Sequence, residues 1–149
     1  MTRLFAALCA LLLATPLLAQ DVRGTCVDGS LWWGSGTEAA LGPCDAPQEG
    51  FFRLICTAAG PELRVISAYP IAADQRGTVD LSVDGRTWRL EGRGAPDART
   101  GVMALHGVTV PAEVISALAG GNTARFDMPT ETRPIHLTGS GAALAALTC

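Results

Sequence analysis

Four cysteines are the residues whose spacing in this chain points most clearly to a chemistry. They are Cys26, Cys44, Cys56 and Cys149; a fifth, Cys9, lies in an apolar N-terminal run. An even number of cysteines in an exported chain favours two disulfides. Of the three possible pairings we favour Cys26–Cys44, which closes a glycine-rich loop, and Cys56–Cys149, which ties a strand to the last residue. The alternative is a zinc site, for which the usual Cys-x-x-Cys pair is missing.

Histidines and serines offer the next chemistry, nucleophilic catalysis. His106 and His136 fall on the predicted polar sides of strands, and Ser35 and Ser140 each lie between two glycines. A serine nucleophile needs a base and an orienting acid within reach. Neither serine has the Gly-x-Ser-x-Gly frame of a nucleophile elbow. We therefore predict no catalytic residue, no metal site and no cofactor.

Trp32 and Trp33 are adjacent between the cysteines of the proposed short loop. Neighbouring residues of a strand point to opposite faces, so one indole is expected in the core and the other in solvent. An exposed tryptophan in a stapled loop could anchor a protein partner or a sugar ring. We favour the alternative, in which both indoles pack under the loop as a small second core. Trp32 and Trp33 are the candidate binding residues.

The elements that position these residues begin after a predicted signal peptide. Arg3 precedes an unbroken apolar run that ends at Ala14, and proline and small residues follow up to Ala19. The run is shorter than the roughly 20 residues that a membrane-spanning helix needs. Cys9 lies in the middle of the run, where a lipid-modified cysteine is not expected. We expect residues 1–19 to be removed near Ala19, leaving residues 20–149 as a single mature periplasmic or secreted domain with no membrane span.

Composition narrows the class of protein further. All 11 basic residues are arginines, and without Arg3 the chain keeps ten of them against 14 acidic residues. A nucleic-acid-binding domain normally carries a basic patch, so no nucleic-acid partner is expected. The use of arginine alone and the Ala/Gly-rich composition are typical of a GC-rich Gram-negative bacterium.

A β-hairpin around Asp84-Gly85 is the clearest predicted element. The dipeptide favours a type I′ turn, and alternating apolar and polar residues flank it on both sides. A two-residue turn also places opposite charges across from each other, which supports the register. The predicted pairs are Val83 with Arg86, Ser82 with Thr87, Leu81 with Trp88, Asp80 with Arg89 and Val79 with Leu90.

The remaining pattern predicts an α+β domain. Strands are expected at 51–57, 62–69 and 101–108, a helix at 111–121, a second hairpin within 122–139 and a short helix at 140–148 capped by Ser140. We expect a meander of about six strands in an antiparallel, curved or sandwich-like sheet. Two short helices in the C-terminal half pack on it, and two disulfides staple it.

The last forty residues resemble a known module. The segment VPAEVISALAGGNTARFDMPTETRPIHLTGSGAALAALTC is similar to the C-terminal part of invasion-associated locus B-like periplasmic proteins. Cys56 in "RLIC", together with a terminal Cys149, also resembles small periplasmic proteins associated with type VI secretion. These resemblances cover less than half of the mature chain. They imply a β-rich exported domain without known catalytic residues. The chain departs from the pattern at Gly139-Ser140-Gly141, where an aromatic residue is expected after the first glycine.

The sequence favours a non-catalytic binding or accessory protein of the bacterial cell envelope. Its partner would be an envelope protein or a cell-wall glycan. One alternative is a small secreted hydrolase assembled from scattered residues such as His106, His136 and Ser140. Another is an inhibitor of a lytic enzyme, for which the segment from Cys26 to Cys44 would be the protruding loop.

Overall fold

The computed structural model describes residues 21–66 and 71–149. The predicted signal peptide, with Arg3, Cys9 and Ala19, lies outside the described residues, as does the end of the strand predicted at 62–69. Within the described part, neither helix has the length and apolar character needed to cross a membrane.

The residues that the structure describes form ten strands and two α-helices. The strands are β1 Val22–Arg23, β2 Ser30–Gly34, β3 Glu38–Pro43, β4 Phe52–Thr57, β5 Gly60–Val65, β6 Arg76–Val83, β7 Arg86–Pro96, β8 Met103–Thr109, β9 Thr123–Asp127 and β10 Thr132–His136. The helices are α1 Ala112–Gly120 and α2 Ser140–Ala145. A short 3₁₀ helix, Pro47–Glu49, follows β3.

A single antiparallel sheet contains all ten strands, in the order β1-β2-β3-β4-β5-β8-β7-β6-β9-β10. The predicted antiparallel sheet with two short helices in the C-terminal half is confirmed. The expected number of about six strands is too low, and the strands form one sheet and not two stacked layers. The chain is also no simple meander, because β5 pairs with β8 and β6 pairs with β9.

Curvature of the sheet encloses the main core. The Phe126 ring on β9 lies 5.0 Å from that of Phe52 on β4, although these strands are far apart in the sheet. The indole Nε1 of Trp32 on β2 donates to the carbonyl of His136 on β10 at 2.7 Å. The core face of one curved sheet therefore packs against itself, which is why no second sheet is needed.

The two helices cover the core. Val114 and Leu118 of α1 and Leu144 of α2 are buried in the main cluster. Ser140 does not cap α2 with its side chain. It is buried as the first helical residue, and its hydroxyl donates to the carbonyls of Leu118 and Leu137, both at 2.7 Å. The hydroxyl therefore joins α2 to α1 and to the end of β10.

Both predicted hairpins are confirmed. The β6–β7 hairpin has each of the five pairs expected around Asp84-Gly85, and both turn residues have positive φ, as a type I′ turn requires. The β9–β10 hairpin buries Phe126 and Ile135 on the core face. Local alternation and turn chemistry were sufficient to predict these elements.

The two disulfides join the favoured pairs. Cys26 is bonded to Cys44, which closes the β2–β3 region, and Cys56 on β4 is bonded to Cys149. Next to the second bond, the backbone N–H and the hydroxyl of Thr148 both donate to the carbonyl of Gly36. The C-terminus is therefore held against the turn between β2 and β3.

Candidate functional site

A polar cleft of about 790 Å³ lies on the face of the sheet opposite the main core. It crosses β5, β8, β7 and β6, and the segment before β6 contributes Asp74. Six charged or titratable side chains line it: Glu62, Asp74, Arg76, Glu91, Arg93 and His106. Part of the remaining lining is glycine, which contributes backbone only. The cleft therefore presents positively and negatively charged side chains around a surface that is partly bare backbone.

A β-bulge shapes one side of this cleft. The register between β5 and β8 shifts between Leu63 and Val65, and Gly107 next to the shift has φ +77°. The Gly107 N–H donates to the carboxylate of Glu62 at 3.1 Å. Bulges redirect side chains and are common beside functional sites. Glu62 and His106 lie on the two strands that this bulge joins, and both line the cleft.

His106 is the titratable group of the cleft whose environment is most unusual. Its Nε2 atom is buried and has no hydrogen-bond partner among the described residues. Burial, together with the positive charges of Arg64 and Arg53, lowers the pKa of His106 below its ordinary value, and Glu62 opposes that shift. The neutral imidazole is therefore favoured at physiological pH.

Two arginines and this histidine occupy one row of the sheet. Arg76 on β6 is directly opposite Arg93 on β7, and Arg93 is directly opposite His106 on β8. Arg93 donates to the backbone carbonyl of Asp74 at 3.1 Å. Neither Arg76 nor Arg93 forms an ion pair with a described acidic residue. Both side chains are exposed in the cleft.

A buried ion network adjoins the cleft on its β4 side. Arg53 is buried to 2 % exposure and contacts the carboxylates of Asp97 and Glu38. Arg99 binds Glu38 at 2.9 Å. Asp97 also accepts the N–H groups of Arg99 and Thr100, so that it orders the loop between β7 and β8. These four charges balance each other, which is the pattern of a structural network.

Both candidate tryptophans are buried. Trp32 is fully buried in the main core, and Trp33 is 7 % exposed in a small second cluster with Leu31 and Ala40. They do lie on opposite faces of β2, as the alternation predicts. Neither indole reaches solvent, because β2 is covered on both faces. The role of Trp32 and Trp33 as exposed anchors is therefore not supported.

The candidate catalytic serines have structural roles. The Ser35 hydroxyl lies in the β2–β3 turn, where it accepts the N–H of Glu38, and Ser140 is the helix-joining residue described above. An unexpected pair is Ser30 and His136, whose Oγ and Nε2 atoms are 3.2 Å apart. The Nδ1 of His136 is buried and has no hydrogen-bond partner among the described residues. No described acid therefore orients this imidazole as a catalytic triad requires.

Comparisons with known proteins give no relative whose site could be compared with this one. No protein-family model, no curated protein and no solved structure matches this chain. Among the residues that the structure describes, no group of three or more His, Cys, Asp or Glu side chains is placed to hold a metal ion.

Proposed function

We propose that this protein is a non-catalytic, exported binding or accessory domain of the bacterial cell envelope, and that its polar cleft binds a charged segment of an envelope protein. The observation that supports this most directly is the cleft, which presents Arg76 and Arg93 beside Asp74 and Glu91. The two disulfides are compatible with an extracellular or periplasmic location. The resemblance to exported β-rich proteins is in line with the same proposal.

A protein partner fits the cleft better than a cell-wall glycan does. Sugar rings are commonly bound by stacking on exposed aromatic side chains. The described lining contains no Phe, Tyr or Trp, and Trp32 and Trp33 are buried. Exposed large apolar side chains are also scarce, since Val102 is the one such residue in the described ranges. A polar partner segment is therefore favoured over an apolar docking surface.

The hydrolase and inhibitor alternatives have weaker support. Nε2 of His106 has no hydrogen-bond partner among the described residues, and no described acid binds Nδ1 of His136. An inhibitor would need a protruding loop, for which the segment from Cys26 to Cys44 is the candidate. That segment instead contributes strands β2 and β3 to the sheet.

In-cell photo-crosslinking tests the proposal. A photoreactive amino acid replaces Thr78, which is exposed in the cleft, and in a matched variant it replaces Ser116 on the exposed side of α1. Irradiation of the cells that produce the protein should give a single discrete adduct with an envelope protein from position 78 and none from position 116. Equal adducts from both positions, or a glycan adduct alone from position 78, would contradict it.

A further inference from the structure

Three pairs of like charges face each other across neighbouring strands of the sheet. They are Arg53 with Arg64, Asp80 with Asp127, and Arg76 with Arg93. Like charges in directly opposed positions destabilise a sheet. The partners of each pair therefore show whether its charge is neutralised within the protein itself.

Two of the pairs are neutralised inside the protein. Asp80 binds Arg89 at 2.8 Å, and Asp127 binds Arg125 at 3.0 Å. Arg53 contacts two carboxylates in the buried network, and Arg64 lies 3.5 Å from Glu62. In both cases, each member of the pair has its own partner of opposite charge.

The third pair, Arg76 and Arg93, has no such partner in the part of the chain that the structure describes. Neither Arg76 nor Arg93 makes an ion pair with any described residue, although Asp74 and Glu91 lie in the same cleft. These two arginines are also the only like-charged pair of the three in which both members line the cleft. Each of the two guanidinium groups presents several N–H donors, whose planar geometry matches that of a carboxylate.

We infer that Arg76 and Arg93 together bind a carboxylate group of an acidic side chain in the partner segment. This inference rests on the proposed function and adds the chemistry of recognition to it. The bound carboxylate supplies the negative charge that Arg76 and Arg93 lack. Arg89 and Arg125 likewise supply the positive charge beside Asp80 and Asp127. The carboxylates of Glu62, Asp74 and Glu91 around the arginine pair favour a segment in which basic residues flank the acidic one.

Titration with two short peptides tests the inference. The full chain is expressed and the exported protein is purified. It is titrated with a capped heptapeptide that has a central glutamate between two lysines, and with the same peptide carrying glutamine. Isothermal titration calorimetry measures the affinity in the wild-type protein and in the variants, and side-chain N–H resonances of Arg76 and Arg93 locate the binding in the wild-type protein. We expect the glutamate peptide to bind at least tenfold more tightly than the glutamine peptide.

Paired arginine variants supply the control. In R76Q/R93Q the two peptides should bind equally, whereas R89Q/R125Q removes the same charge elsewhere and should keep the tenfold difference. Equal binding of both peptides to the wild-type protein would overturn the inference, as would saturation by inorganic phosphate with no binding of the glutamate peptide. If the cleft-specific crosslink from position 78 persists in the cell when the peptides bind equally, the proposed function stands and only the carboxylate inference fails.

Discussion

At the scale of single residues, the buried network of Arg53 is where the removal of one charge should change the stability most. Its partner Asp97 has no exposed side-chain surface and also holds the β7–β8 loop. A buried ion pair is not a strong net source of stability, but removal of one partner leaves the other charge uncompensated. Arg53 remains charged despite the burial that lowers its pKa.

Asp97→Asn should therefore destabilise the fold strongly. The amide keeps an oxygen for the loop N–H groups and loses the charge opposite Arg53, so we expect the free energy of unfolding to fall by about 3–5 kcal/mol. Urea denaturation measures this change. Asp80→Asn removes a carboxylate from an exposed pair with Arg89 and should have a much smaller effect. Similar losses in the two variants would show that Arg53 does not depend on Asp97.

His106 should make stability depend on pH. Its pKa is lowered in the folded protein by burial first, and then by Arg64 and Arg53. The unfolded state therefore takes up a proton first as the pH falls through about 6.5. The free energy of unfolding decreases from that pH down to the lowered pKa of the folded state.

The expected result is a smaller loss of stability in His106→Gln than in wild type between pH 7.5 and pH 5.5. Urea midpoints at several pH values in that window measure it. The carboxyls of Asp80, Asp84 and Asp127 also have lowered pKa values in the folded protein. Their stabilisation is present above about pH 4 and is lost below it, which separates the two effects. An identical pH slope in wild type and variant would refute the assignment to His106.

At the scale of elements, the Asp-Gly dipeptide that favours a tight turn occurs twice in the chain, and only one occurrence predicted a hairpin. Asp84-Gly85 predicted the β6–β7 hairpin. Asp28-Gly29 also has positive φ at both residues, and it forms the turn that leads from β1 into β2. The residues that flank Asp28-Gly29 do not have the alternating pattern that would predict this β1–β2 hairpin. β2 is buried on both faces and therefore lacks the alternation that identifies a half-buried strand.

Gly34 is the contact point between β2 and α2. A Cβ at this position would collide with the backbone of Ala143. Gly34→Ala should therefore displace α2 and lower the free energy of unfolding by about 1–3 kcal/mol. Thermal and urea denaturation measure this, and Gly120→Ala is the control, since a Cβ there meets nothing within 4 Å. An unobstructed glycine in a helix should tolerate alanine without loss of stability, so a loss of the same size in the control would show that the collision with α2 is not the cause.

At the scale of the whole molecule, the two disulfides constrain very different lengths of chain. Cys56 and Cys149 are 93 residues apart, whereas Cys26 and Cys44 are 18 apart. The entropy lost by the unfolded chain grows with the length of the closed loop. The longer loop also encloses most of the curved sheet and both helices.

Removal of the long-range disulfide should therefore be the more damaging. In the chain-entropy model, Cys56→Ser with Cys149→Ser should lower the free energy of unfolding by up to about 4–5 kcal/mol, and Cys26→Ser with Cys44→Ser by up to about 3 kcal/mol. Urea denaturation of the two double variants under identical conditions gives the order. A larger loss in the short-loop variant would contradict the entropic account.

The elements that depend on local chemistry could be predicted from the sequence alone. A dipeptide with positive φ, alternation over a few residues and an even set of cysteines act over short distances or through covalent bonds. They predicted the β6–β7 and β9–β10 hairpins, both helices and the disulfide pairs. They also predicted that Trp32 and Trp33 point to opposite faces.

Other features arise only where distant segments meet. The pairing of β5 with β8 and the second cluster that covers Trp33 both depend on how the curved sheet closes. A strand pattern states which face is apolar, but it does not state which strand will lie beside it. The polar cleft belongs to this second class, because it depends on the pairing of β5 with β8, which are not neighbours in the chain.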